Sequence, residues 1–326
     1  MNILRVKLPV VFRINDNVPN YQNFLDKLKT PSYISKLLTA ETAKPQPETL
    51  EKAPESEPAK EVEEKKVLDQ LSLKNIPWYP NEQVWQLNTF RHELKKNKAY
   101  QNLHKFITRA TEAGLISRQE LVSMLPPLLL DVKSTDIILD MCAAPGSKTA
   151  QLLELLYKDE TLGKGPTQGC VLANDIDYRR AAMLIHQVQR ISTTGMMVVS
   201  HSGQHFPTLK KPADGEGDRQ FYFDKVLADV PCSGDGAIRK LPDKWGKWSV
   251  RDGIVLHPLQ VQIAIRAVQL AKVGGYILYS TCSINPVEDE AVVVELFRRC
   301  KNDALEIVDI REKLPGRFLL LVRIVA

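Results

Sequence analysis

Residues 137–157 read IILDMCAAPGSKTAQLLELLY. Ile137-Ile138-Leu139 is an apolar run of the length of a buried strand, and TAQLLELL, from Thr149, spaces its leucines for one face of a helix. Between them lies a turn of small residues. Strand, small-residue turn, helix is the opening of a parallel α/β unit. The rhythm repeats downstream. Val171–Ala173, Met196–Val199, Val226–Ala228 and Tyr276–Tyr279 read as further strands. YRRAAMLIHQVQRI, PLQVQIAIRAVQLAK (ending at Gly274-Gly275) and EDEAVVVELFRRC read as helices. Apolar strand cores alternating with amphipathic helices predict a doubly wound, mostly parallel sheet, buried on both faces. Ligands of such sheets bind beyond the carboxyl ends of the strands, so chemistry is expected in the post-strand loops.

The whole chain sets the bounds. It has 326 residues, 44% hydrophobic and 25% charged, with a net charge of +5. That suits a large folded unit and a smaller one, and it permits a nucleic-acid partner. No apolar run reaches the roughly 20 residues of a bilayer span, and the N-terminus lacks a signal-peptide pattern. Five cysteines without CxxC pairing argue for a reducing compartment and against both a disulfide scaffold and a metal site. Residues 1–40 form an N-terminal fragment too small to hold a core alone. Residues 41–70 read as a disordered acidic, Pro-rich linker; positions 41–66 alone hold four prolines, eight acids and five bases with no aromatic residue. Residues 71–130 read as a mostly helical region, with 131–326 as the main domain. Arg91, Lys95, Lys96, Lys98, Lys105 and Arg109 could form a face for a phosphate backbone or simply a solvated helix surface.

Four loops carry polar detail. The first, Asp140 to Thr149, suits close approach of a nucleotide-like ligand to backbone N–H groups, or is merely a tight turn. It matches neither G-x-x-x-x-G-K-[ST] nor G-x-G-x-x-G. In Asn174-Asp175-Ile176-Asp177, Asp175 has the position of a ribose-binding carboxylate and Asp177 that of a helix N-cap. The third and fourth, Asp229-Val-Pro-Cys-Ser-Gly-Asp-Gly236 and Ser280-Thr-Cys-Ser-Ile-Asn-Pro286, each set a cysteine just past a strand. Cys170 and Cys300 lack such settings and read as structural, and the backbone at Cys142 is expected to matter more than its thiol.

DMCAAPGSKT, LANDID, ADVPCSGDG and STCSINPVEDEA, in this order and spacing, resemble the motifs of the Nop/Sun family of RNA cytosine-5 methyltransferases, the eukaryotic tRNA members above all. ISRQELVSMLPPLLLDV and IPWYP resemble the same members' upstream region. The resemblance covers about residues 75–300. It implies a Rossmann-like S-adenosylmethionine-dependent methyltransferase sheet with a smaller N-terminal α/β region. It further implies that 71–130 binds RNA and that the cytosine belongs to RNA, tRNA first. The cofactor S-adenosyl-L-methionine is then held by Cys142, Ala143, Ala144, Pro145, Gly146, Ser147 and Lys148, with Asp175 on its ribose and Asp229 nearby. Cys282 is implied as nucleophile and Cys232 as the group aiding breakdown of the covalent intermediate. Lys148 is a candidate source of positive charge for Cys282, and a protonated Asp229 donating to the base is a further possibility. Arg239, Lys240, Lys244, Lys247 and Arg251, interleaved with Trp245 and Trp248, suit phosphate contact and stacking, or a solvated face over local core. The resemblance places the protein in the nucleus and nucleolus, with the cytoplasm as a second site. A monomer is expected, with no membrane and no metal.

Two departures stand against it. VVSHSGQHF sets Ser202 where the family has an acid near the adenine. RFLLLVRIVA matches the expected edge strands poorly, as in a truncated form. A catalytically impaired form that only binds RNA or cofactor is therefore the alternative. A Rossmann oxidoreductase is disfavoured by the paired cysteine loops, and a DNA cytosine methyltransferase by PCS and TCS in place of a PCQ loop.

Overall fold

A computed structural model describes residues 5–30, 33, 72–97, 100–191, 193–210, 220–300, 304–310 and 320–325. The linker reading of 41–70 and the side chain of Lys98 lie outside the described residues. Two compact units are present, one of residues 7–120 and one of residues 121–326 with 1–6.

The unit of residues 7–120 holds strands β1 (Pro9–Ile14), β2 (Leu73–Asn75), β3 (Val84–Phe90) and β4 (Ile116–Arg118), with helices α1 (Tyr21–Lys29), α2 (Arg91–Lys96) and α3 (Gln101–Glu112). The strands form an antiparallel sheet in the order β2-β3-β1-β4. The mostly helical reading of 71–130 is corrected where β2, β3 and β4 fall. In VWQLNTF the residues Trp85, Leu87 and Thr89 are buried while Asn88 is exposed, the period of two that belongs to a strand. The described residues of the fragment 1–40 from Lys7 onward likewise belong to this unit. β1 is central in this sheet, and its Phe12 and Ile14 share a core with Trp85, Leu87, Leu103, Ile107 and Ile116. The division between the units accordingly falls at 120/121 rather than at 130/131.

The larger unit runs α4 (Leu125–Leu129), β5 (Ile137–Asp140), α5 (Ser147–Thr161), β6 (Cys170–Asn174), α6 (Tyr178–Val188), β7 (Met196–Val199), β8 (Phe223–Asp229), α7 (Lys244–Lys247), α8 (Val250–Leu270), β9 (Ala271–Ser280), α9 (Glu290–Arg299), β10 (Leu305–Val308) and β11 (Leu320–Ile324). Its sheet order is β10-β11-β9-β8-β5-β6-β7. β9, β8, β5, β6 and β7 are mutually parallel, while β11 pairs antiparallel with β9 and β10. Ile138, Leu139, Val171, Val226, Leu227 and Leu278 are all buried, as expected of strands covered on both faces. One boundary is corrected. The last long helix stops at Leu270, and Ala271 and Lys272 begin β9. The register against β8 shifts there, and Gly274 takes a left-handed φ of 81°, so a bulge absorbs residues read as helix.

This strand order fixes where a site can form. From β5 the chain winds outward through β6 and β7, then returns to β8 on the other side of β5. The reversal opens a crevice beyond the carboxyl ends of β5 and β8. β9 lies next to β8 in register, with Asp229 opposite Ser280. The four polar loops read from the sequence therefore leave the same end of the sheet.

Candidate active site

The turn after β5 is shaped by backbone constraints. Met141 N–H bonds to Leu227 O at 2.9 Å and Ala143 N–H to Asn174 O at 2.7 Å, which pins the turn to both neighbouring strands. Gly146 then starts α5 at φ 105°, a region that disfavours side chains, and a Cβ there would come within 2.6 Å of Leu184 Cδ1. α5 has no side-chain cap and no acid in its first turn, so its leading N–H groups keep the capacity to meet an anion. Asp140 supports the turn from beneath, accepting from Thr149 Oγ1 at 2.7 Å, and burial pushes its carboxyl up to about 7. Burial also pushes the Cys142 thiol up, so this sulfur stays protonated.

After β6, Asp175 is only 2% exposed. Its carboxylate accepts from Ala144 N–H at 3.2 Å and from Asp177 N–H at 3.0 Å, and Arg180 lies 3.5 Å away. Arg180 also donates to Ala144 O at 2.6 Å, so the first two loops are tied together. Asp177 caps α6, accepting from Arg179 N–H at 2.7 Å and Arg180 N–H at 3.1 Å. That is the cap role read from the sequence. Ile176, between the two acids, is 66% exposed. Ser202, in the loop after β7, lies 3.5 Å from His205 Nδ1.

The loops after β8 and β9 bring side chains together. Lys148 Nζ donates to Asp229 Oδ2 at 2.7 Å, and Ser280 Oγ donates to Asp229 Oδ1 at 2.7 Å. Both oxygens of Asp229 thus act as acceptors. Three residues past Asp229 and two past Ser280, Cys232 Sγ and Cys282 Sγ stand 3.1 Å apart. Cys282 N–H points at Cys232 Sγ from 3.3 Å. The hydrogen bond from Cys232 holds the Cys282 thiol below its ordinary value against the opposing effects of burial and of Asp229, with help from Lys148. The same bond, joined by burial, pushes Cys232 up. Of the two thiols, Cys282 is therefore the one more readily ionised. Cys170 and Cys300 are half-buried with thiols pushed up by burial.

The basic–aromatic segment divides between its two readings. Trp248 Nε1 donates to Ser233 Oγ at 2.8 Å and Lys244 Nζ donates to Ser233 O at 2.7 Å, so these two brace the Cys232 loop. Trp245 is 42% exposed and belongs to the surface. Sequence reading missed Ser280, Arg180, Gln260 and Glu288. A hint was present: a serine follows each loop cysteine. Among the described residues, no cluster of His, Cys, Asp and Glu could hold a metal ion, and no helix is long and apolar enough to cross a membrane.

This fold is that of Rossmann-like methyltransferases. It superposes on the crystal structure of NSun6 from Pyrococcus horikoshii with SFG at a TM-score of 0.61 and 18% identity, covering 100% of this chain and 93% of that one. A methyltransferase homologue from the same organism gives 0.60 at 23% identity, covering 94% and 74%. Residues 127–317 match the family model described as 16S rRNA methyltransferase RsmB/F. The chain is 46% identical over 241 residues to the Drosophila melanogaster tRNA (cytosine(34)-C(5))-methyltransferase, covering 74% of this chain and 32% of that protein. It is 44% identical over 242 residues to the Saccharomyces cerevisiae multisite-specific tRNA:(cytosine-C(5))-methyltransferase, covering 74% and 35%. The chain thus spans about a third of the length of these relatives. It belongs to the RsmB/F, or Nop/Sun, family.

Proposed function

We propose that this chain transfers a methyl group from S-adenosylmethionine to carbon 5 of cytosine in RNA, tRNA above all, through a transient covalent bond between Cys282 and the base. The observation that carries this reading is the close sulfur pair, 3.1 Å between Cys232 and Cys282, next to the Lys148–Asp229 ion pair. The activities named for the relatives from Drosophila and yeast support the base, the position and the class of RNA.

The residues present fit the cofactor. The uncapped start of α5 suits a carboxylate, the buried Asp175 suits hydroxyl donors, and the exposed Ile176 beside it offers an apolar surface for a flat ring. Ala143 to Lys148 and Asp175 would hold the group, with Asp229 close by. Bound there, S-adenosylmethionine supplies an electrophilic methyl group.

The chain's own residues do the rest. Carbon 5 of cytosine is a poor nucleophile. Addition of the Cys282 thiolate to carbon 6 breaks the ring's 5,6 double bond and makes carbon 5 electron-rich. An ordinary thiol, with a pKa of about 8.5, is only a few per cent ionised at neutral pH. Donation from Cys232 and the charge of Lys148 enlarge the thiolate fraction at Cys282. Once the Cys282 sulfur is bonded to carbon, it no longer carries the negative charge that opposes ionisation of Cys232. Cys232 can then release its own proton to solvent and, as a thiolate, take the proton from the methylated carbon 5, after which the carbon–sulfur bond breaks and Cys282 leaves as thiolate.

The test is transfer from labelled cofactor to a transcribed tRNA by the 326-residue chain. Cys282→Ala is expected to lose transfer and any covalent adduct, by a factor on the order of 10⁴ or more. Cys232→Ala is expected to accumulate a denaturation-resistant protein–RNA adduct. An adduct with the first variant, or none with a folded second, overturns the assignment.

A further inference from the structure

The cysteines of the two loops are each followed by a serine, and both serines donate to one carboxylate. Ser233 Oγ and Ser283 Oγ both bond to Glu288 Oε2, the latter at 2.9 Å, and Ser233 N–H bonds to Glu288 Oε1 at 2.7 Å. Gln260 Nε2 from α8 reaches Oε1 at 3.1 Å while holding Pro231 O at 3.0 Å. Glu288 is fully buried, at 0% exposure. Its own backbone is anchored, with N–H to Asn285 O at 2.9 Å and its carbonyl accepting from Tyr279 OH at 2.7 Å. α8 is shaped around it: a Cβ at Gly253 would come within 3.0 Å of Oε2 and 2.3 Å of Asn285 Nδ2.

A buried carboxylate is costly unless donors surround it. Burial acts to push the Glu288 carboxyl up, yet the bonds from Ser233, Ser283 and Gln260 more than offset this and hold it below the usual carboxylate range. The ionised acceptor therefore draws in hydroxyls from two loops that no backbone bond of a strand connects beyond Ser280. We propose that Glu288 is the positioning residue of the thiol pair: by gathering the serine next to each cysteine onto one carboxylate, it fixes the Cys232 and Cys282 loops in the register that puts their sulfurs in contact. The serines of PCS and TCS are then parts of one clamp. Its value to catalysis rests on the function proposed above, whereas its geometry does not.

Two readouts on the 326-residue chain, without RNA or cofactor, test it. One is the pH dependence of Cys282 alkylation by iodoacetamide, resolved by mass spectrometry. The other is bridging of Cys232 to Cys282 by dibromobimane. Glu288→Gln keeps the size but turns part of the acceptor into a donor. It is expected to slow Cys282 alkylation at pH 7 about ten-fold, the effect of one pKa unit, and to lower the bridging yield. Glu288→Gln added to Cys232→Ala should slow alkylation no further than Cys232→Ala alone, because both act through one contact. Ser283→Ala should give a smaller fall, and it decides the matter if Glu288→Gln does not fold. A wild-type alkylation profile in the folded glutamine variant, or in Ser283→Ala where that variant decides, overturns the clamp, as does an additive double variant. A wild-type chain that transfers no methyl group, yet loses its thiol contact in Glu288→Gln, would refute the function and keep the clamp. The reverse pattern would refute the clamp alone.

Discussion

The loops after β5 and β6 and those after β8 and β9 leave the same end of one sheet but are built on opposite plans. The first pair works mainly through the backbone. Its turn is pinned by amide bonds to β6 and β8, its helix start is left uncapped, and its one cysteine is half-buried with a thiol pushed up. The second pair works through side chains. Ser280 bonds to Asp229, Cys232 meets Cys282, and Ser233 and Ser283 bond to Glu288, so three side-chain contacts tie the loops together. A backbone site tolerates changes that keep its φ and ψ angles. A side-chain network fails when one member loses its donor or acceptor. Lys148 joins the two plans, since it stands in the first turn of α5 and its ammonium reaches Asp229.

That contrast can be broken by experiment. Outside the two cysteines, the largest effect is expected at the junction. Lys148→Met removes the cation that favours the Cys282 thiolate and leaves Asp229 beside the sulfurs without its counter-charge. Single-turnover transfer should fall on the order of 10²-fold, and Cys282 alkylation should need a higher pH. A variant alkylated like wild type would separate Lys148 from the thiol. In the backbone plan, Gly146→Ala sets a methyl at positive φ against Leu184. It should cost about 1–3 kcal/mol in urea unfolding. Asp177→Ala, which uncaps α6, should cost about 1 kcal/mol by the same measurement. The smallest effect is expected for Cys142→Ala. If only the backbone of that turn is used, transfer should change by less than about two-fold. A large loss there would mean that the two plans are not distinct.

Much of this was legible along the chain. The aliphatic runs at 137–139, 171–173 and 226–228 are strands because parallel strands bury both faces and leave an unbroken apolar signature. Asp177 was legible as a cap because the capping bond closes within three residues. The reading failed where partners are distant or where patterns compete. VWQLNTF lies beside strongly helical, basic sequence, and its alternation is decisive only when β1, some 70 residues earlier, supplies the neighbouring strand. The end of the last long helix was misplaced because Ala271 and Lys272 suit a helix well. The bulge that recruits them into β9 depends on pairing with β8. For Trp248 and Lys244 composition left stacking and phosphate contact open beside local core, because their bonds to Ser233 close over distances of 15 and 11 residues.

Taken alone, the amino-acid order determined the class of sheet, the loops that bear chemistry and the two cysteines worth naming, because each of these is written in local patterns of apolarity, turn residues and spacing. Only the folded chain decided that sulfurs 50 residues apart face each other at 3.1 Å, that Asp229 is held as an acceptor by Lys148 and Ser280, and that Glu288 binds both serine neighbours. The acidity of a thiol and the protonation of a carboxyl follow from distance, burial and donors across strands, and these quantities have no counterpart in a linear sequence.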